Sequence, residues 1–379
     1  MHRMKPCWSV LLCGCMLTLL PGSPAAAQTH KPAARKTPAH KAAPRKPAPA
    51  KTPEPVDMQA LQTQVMLDRA GYSPGEIDGT MGTGTKRALD AYTKNGGKTD
   101  ALPVDAVTPY KITDEDAAGP FVPVPEDMMD KAKLTVLGYT SLPEALGERF
   151  HASPALLKRM NPTAKFVAGE EIHVPNVAGA AQPASPSPAA PPGAAPPAAA
   201  AGAAVPSTPP TSPVAGAPTA VPTATSGKAV PPSGRQSDTP NAGAVTVTVR
   251  KSTSDLVVQD ATGRILMYAP VTTGSEHDPL PIGDWKVTGV QKDPKFHYNP
   301  DLFWDAEPTQ EKATIPPGPN NPVGVVWVDI SRPHYGLHGT PEPSTVGKTT
   351  SHGCVRLTNW DAMRLASFVK PGTKVVFAE

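Results

Sequence analysis

The chain has 379 residues, of which 50 are proline and only 5% aromatic, and its formal net charge is +3. Proline at that level marks extended segments beside the folded ones, so the part able to bury a core is much shorter than the whole. The charge is near balance and no basic stretch is interleaved with aromatics, so a nucleic-acid partner is not expected.

Residues 1–27 read as a secretory signal: Arg3 and Lys5, an apolar run from Trp8 to Leu20, then the small-residue site Ala25-Ala26-Ala27. The run is short for a membrane span. Export to the periplasm or cell envelope is expected, with cleavage after Ala27. The rival reading, lipidation at Cys15 within Leu12-Cys13-Gly14-Cys15, is less favoured because apolar residues continue to Leu20. Cleavage removes Cys7, Cys13 and Cys15 and leaves Cys354 alone. A lone thiol in an oxidising compartment is either reactive, intermolecularly paired or an inert small hydrophobe.

Residues 28–56 form a basic Pro/Ala tether. Residues 57–97 form a small helical module, with Met58, Leu61 and Val65 on one helix face and Ala88, Leu89 and Tyr92 on a second. Between them lies the turn-rich Gly71-Tyr72-Ser73-Pro74-Gly75-Glu76-Ile77-Asp78-Gly79. Residues 98–130 read as a linker. In residues 131–176 the pattern predicts a strand at Leu134–Leu137, helices at Leu142–Phe150 and from Ser153-Pro154 to Met160, and a closing strand at Glu171–Val174. Residues 177–240 are a flexible, disordered Pro/Ala linker, partly polyproline II.

The GY-x-PG-x-IDG loop, followed by Gly82, Thr85 and Tyr92, resembles the peptidoglycan-binding domain type 1 family, which implies wall binding through the loops. The β-α-α-β order of 131–176, with Asn161-Pro162 after the second helix, resembles LysM and implies glycan binding. The usual opening of that family is replaced here by Gly138-Tyr139-Thr140-Ser141-Leu142.

From residue 244 to 379 the pattern becomes mainly β. Val245, Val247 and Val249 alternate, followed by Asp255–Gln259, a turn at Asp260-Ala261-Thr262-Gly263, and Arg264–Pro270. Trp285–Val290, Val325–Ile330 and Lys374–Phe377 are further strands, and one helix runs from Asn359 to Val369, capped by Thr358. The chemistry gathers at His338-Gly339-Thr340 and Ser351-His352-Gly353-Cys354-Val355-Arg356. A thiol becomes a nucleophile when a base or a positive charge stabilises its thiolate. His338, His352 and Arg356 supply such groups, and the Gly353-Cys354 backbone is a candidate oxyanion site. A zinc site built on His334, His338, His352 and Cys354 is disfavoured, since Pro333 and the alternating pattern argue against a helix there.

These residues resemble the YkuD/ErfK family of L,D-transpeptidases, with its H-G and S/T-H-G-C-x-R motif. Pro281-Ile282-Gly283 with Trp285, and Pro316-Pro317-Gly318-Pro319-Asn320-Asn321-Pro322-Val323-Gly324, match its supporting stretches. The resemblance implies Cys354 as nucleophile and His338 as general base, oriented by a backbone carbonyl such as that of Gly339. It casts His352, Gly353, Arg356, Gly339 and Ser351 as supporting groups. It implies acylation by a peptidoglycan stem tetrapeptide with release of D-alanine, then transfer to an amine: a second stem peptide, a wall-attached protein or, with water, hydrolysis. It also implies acylation by carbapenem-type inhibitors, and no metal or cofactor. The competing expectation is a non-catalytic wall-binding and anchoring protein.

Overall fold

The computed structural model describes residues 55–99, 105–177 and 244–379. The expected signal, tether and long Pro/Ala linker lie outside the described residues, apart from their margins at 55–56 and 177.

Helix α1 (Met58–Arg69) starts at Asp57, whose carboxylate accepts from the Gln59 and Ala60 amides at 3.0 and 3.1 Å. Leu61 and Val65 are fully buried on its inner face, but Met58 points outward and is 48% exposed. Helix α2 (Thr83–Lys94) presents Ala88 to a second cluster, with Met66, Leu67 and Tyr72. The loop between them is tied by Gln64, which donates to Asp78 Oδ1 at 2.9 Å and accepts from the Gly79 amide at 2.9 Å.

The next unit corrects the boundaries expected from sequence. Its first strand is β1 (Val107–Lys111), inside the presumed linker, paired antiparallel with β2 (Glu171–Pro175). Two single-turn helices, α3 (Asp114–Ala117) and α4 (Met128–Lys131), also occupy that stretch. Helices α5 (Leu142–Arg149) and α6 (Pro154–Met160) form as expected, with Ser141 and Ser153 as caps. Residues 134–137 are not a strand: Leu137 donates to the Pro317 carbonyl at 2.9 Å and accepts from the Asn320 amide at 3.0 Å, so a loop of the catalytic domain takes its backbone groups. The two modules are not separate beads. Leu61, Val65 and Ile77 share one core with Leu142, Leu146, Leu156 and Ile172.

Residues 244–379 build one eight-stranded sheet: β3 (Thr246–Arg250), β4 (Asp255–Gln259), β5 (Ile265–Pro270), β6 (Gly283–Lys292), β9 (Val326–Ile330), β10 (Gly336–His338), β11 (Val355–Arg356) and β12 (Lys374–Ala378). Their spatial order is β11-β10-β9-β6-β12-β3-β4-β5. A separate ribbon, β7 (Phe296–Tyr298) with β8 (Ala313–Ile315), projects between β6 and β9 in sequence. Helix α7 (Asn359–Phe368) covers the sheet and completes a core of Val247, Val258, Met267, Val328, Leu365 and Phe377, among others. Residues after β5 return to β11, where Thr272 and Arg356 exchange backbone hydrogen bonds of 3.0 and 2.9 Å. The sheet therefore curls toward closure.

The N-terminal body docks on this domain. Tyr268 of β5 donates to the Gly71 carbonyl and accepts from the Ser73 amide, both at 2.9 Å. Tyr72 stacks on Tyr268 at 6.2 Å, and Ser73 donates from Oγ to Asp361 of α7 at 2.8 Å. The loop expected to face the wall is thus mostly inside the molecule, with Tyr72 6% and Ser73 2% exposed.

Candidate active site

Strands β10 and β11 pair in parallel and bring His338 opposite Arg356, two residues beyond Cys354. Neither strand is longer than three residues, so flanking bonds fix them. The Leu357 amide donates to the His338 carbonyl at 2.8 Å, and Ser351 donates from its amide to Thr273 at 2.9 Å. Ser351 also donates from Oγ to the Cys354 carbonyl at 2.6 Å, closing the Ser351–Cys354 turn on itself. Gly353 sits at φ +101, and a Cβ there would stand 2.6 Å from Tyr335. Only glycine allows both that backbone and that approach.

His338 is 5% exposed. Its Nδ1 lies 2.7 Å from the Gly339 carbonyl. A carbonyl can only accept, so Nδ1 carries the proton and the neutral ring keeps its lone pair on Nε2. Trp327 stacks on the other side of this ring at 5.4 Å and holds its plane. Cys354 lies in the same groove, partly accessible, with its thiol donating to the His334 carbonyl at 3.7 Å. Burial pushes the thiol up to about 11, against a weaker pull from the Gly336 backbone and the Arg356 charge. Burial likewise drives His338 down to about 4, opposed by its bond to Gly339 and aided by Arg356. The resting pair is therefore neutral thiol and neutral imidazole rather than an ion pair. Neither the Gly353 nor the Cys354 N–H donates to an acceptor among the described residues, which leaves two adjacent donors beside the sulfur.

The other sequence-predicted residues fall around this pair in distinct ways. His352 turns to the ribbon: its Nε2 meets Asp305 at 2.8 Å, and Phe303 packs edge-on at 5.0 Å. Gly339 abuts Asn359, whose Oδ1 accepts from the Val325 amide at 3.2 Å. The groove measures about 940 Å³ and also takes in Tyr335, Arg332, Asp278, and Glu126 and Met128 from the N-terminal body. The last two lie in the stretch read as a linker; the only sequence hint of structure nearby was Asp127 ahead of an apolar pair. Among the described residues no group of three or more His, Cys, Asp or Glu side chains is placed to hold a metal ion.

A buried histidine held by a carbonyl, a thiol in the same groove and free backbone donors define a cysteine acyl-transfer type of site. Residues 244–377 match the YkuD family, the L,D-transpeptidase catalytic domain. The chain thus carries an L,D-transpeptidase catalytic domain, and its curated relatives bear that name. The putative L,D-transpeptidase YkuD of Bacillus licheniformis is 49% identical over 59 residues, 16% of this chain and 36% of that protein. The putative L,D-transpeptidase YqjB of Bacillus subtilis is 29% identical over 140 residues, 35% of this chain and 70% of that protein. This chain spans about a third of the two YkuD relatives' length, 36% and 35%. Among solved structures, L,D-transpeptidase 3 of Mycobacterium tuberculosis in complex with a faropenem-derived adduct aligns with TM-score 0.30 and 19% identity, over 36% of this chain and 60% of that one.

Proposed function

We propose that this protein is an L,D-transpeptidase of the cell envelope acting on peptidoglycan stem tetrapeptides. The observation that carries the reading is the His338–Gly339 bond, which leaves Nε2 as a base in the groove that holds Cys354. Sγ attacks the carbonyl after the third stem residue, and its proton passes to His338 Nε2. The oxyanion is met by the Gly353 and Cys354 amides. Collapse expels D-alanine, whose amine takes the proton from His338, and a thioester remains. An incoming amine then attacks the thioester and gives His338 a proton, which His338 passes on to the departing Sγ, restoring the thiol. A second stem peptide yields a 3→3 cross-link, and a protein lysine yields wall attachment. The same thiol opens the ring of a carbapenem.

Glycan strands are the second ligand we propose. The support is a cleft of about 540 Å³ lined by Leu142, Pro143, Lys158, Asn161 and Phe166.

Muropeptide mass spectrometry after incubation with disaccharide-tetrapeptide tests the main reading. A dimer lacking one D-alanine, absent with Cys354→Ala, is the expected result. Untouched substrate with folded, reduced protein would instead leave wall binding as the function, measured by co-sedimentation with sacculi. Cell fractionation tests the envelope location.

A further inference from the structure

The ribbon and its loop, Phe296–Ile315, line the Cys354 groove with Phe296, Tyr298, Phe303 and Asp305, and this lid rests against the N-terminal body as well as its own domain. Each of its strands is only three residues long, and a two-stranded ribbon of that length has little stability of its own. Its buried residues Tyr298 and Ile315 form a core with Leu137, against which Met128 and Leu134 also pack. Asp127 makes the polar link. Its Oδ1 caps α4, accepting from Met129 and Asp130 at 2.8 and 3.0 Å, while its Oδ2 accepts from Gln310 Nε2 at 3.2 Å. Gln310 in turn accepts the Tyr298 hydroxyl. On the other side the lid reaches the nucleophile's neighbour through Asp305 and Phe303 on His352. The same segment is pinned at its far end, where Gly318 comes so close to Leu137 that a Cβ would lie 2.3 Å from its carbonyl oxygen.

We propose that residues 124–137, outside the catalytic domain in sequence, are a functional part of its active site: they brace the lid over the Cys354 groove, with Asp127 as the positioning residue. This rests on reading the groove as the L,D-transpeptidase site. Glu126 and Met128, on the same segment, supply part of the groove wall, so the brace and the wall arrive together.

The test uses Asp127→Ser in the full chain, because serine keeps an N-cap acceptor and loses the reach to Gln310. KM for the tetrapeptide donor should rise roughly tenfold, the scale of one charge-assisted hydrogen bond, with kcat within about twofold. Amide exchange across 296–315 should quicken, and alkylation of Cys354 by iodoacetamide should be unchanged or faster. Gln310→Leu should behave alike, and the double variant should be no worse than either single one. Unchanged KM and lid exchange in Asp127→Ser, or additive effects in the double variant, would overturn the brace. A wild-type chain that does not turn over tetrapeptide sinks the functional reading, while amide exchange across 296–315 still decides the brace.

Discussion

The two edges of the catalytic sheet are finished differently. At the β5 edge, backbone groups that would otherwise stand open are taken up by Gly71 and Ser73, and the joint is sealed by Tyr72 on Tyr268. At the β11 edge the strand is two residues long and meets only Thr272 on its outer side, and the adjoining turn leaves the Gly353 and Cys354 amides without an acceptor among the described residues. An open row of strand donors and acceptors invites unwanted pairing, so covering it stabilises and protects. Unengaged donors beside a thiol are useful only where a substrate oxygen will arrive. One join closes an edge with a docked loop, and the other leaves backbone donors beside the Cys354 thiol.

The largest expected effect breaks the reactive edge. Cys354→Ala should lower transpeptidation by roughly 10⁴-fold or more in the muropeptide assay, and His338→Gln by roughly 10²–10⁴-fold, with little change in thermal midpoint. At the covered edge, Tyr72→Ala should cost about 3–5 kcal/mol in denaturant unfolding, from lost packing in a filled joint. Intact turnover chemistry alongside that loss would show the two edges to be separable.

Acidity sharpens the contrast. Burial raises Glu76 to about 7, Glu148 to about 8 and Asp361 to about 6, all at the seam between α5, the docking loop and α7. His151, stacked on Trp360 and bonded to Asp68 at 3.0 Å, faces the same seam, with Glu144 nearby. Each carboxyl holds its proton more tightly folded than unfolded, so its contribution is full below the ordinary values of 4.5 and 3.8 and is lost as pH rises through the folded ones. Urea midpoints should therefore fall between about pH 5 and pH 8, and Glu148→Gln should flatten that slope. At the reactive edge the smallest effect is kinetic. Iodoacetamide labelling of Cys354 in the free protein should climb about tenfold per pH unit from 7 towards 10, with no plateau near neutrality. A plateau there would reveal a resting ion pair.

What was readable in sequence follows from how local each feature is. Cys354, Ser351 and Arg356 lie within one short motif, and α7 announces itself by Thr358 and Asp361, whose amide does donate to Thr358 Oγ1 at 3.2 Å. Strands β3, β4 and β5 follow their alternation. By contrast, β10 and β11 are too short to leave a period, and their parallel pairing is fixed by partners such as Thr272 far away in the chain. Leu134–Leu137 has an apolar spacing that reads as strand, yet Pro317 and Asn320 claim Leu137. The Tyr72–Tyr268 contact joins two modules, and nothing in the periodicity of either reports it. Glu126 and Met128 were hidden in a proline-rich stretch whose composition suggests a tether.

Holding the sulfur protonated also affects its lifetime. Oxidants attack thiolate far faster than thiol, and burial pushes the Cys354 thiol up to about 11. A cysteine kept in that form ages slowly towards sulfenic acid. The burial that keeps the Cys354 thiol protonated is thus also its guard against oxidation.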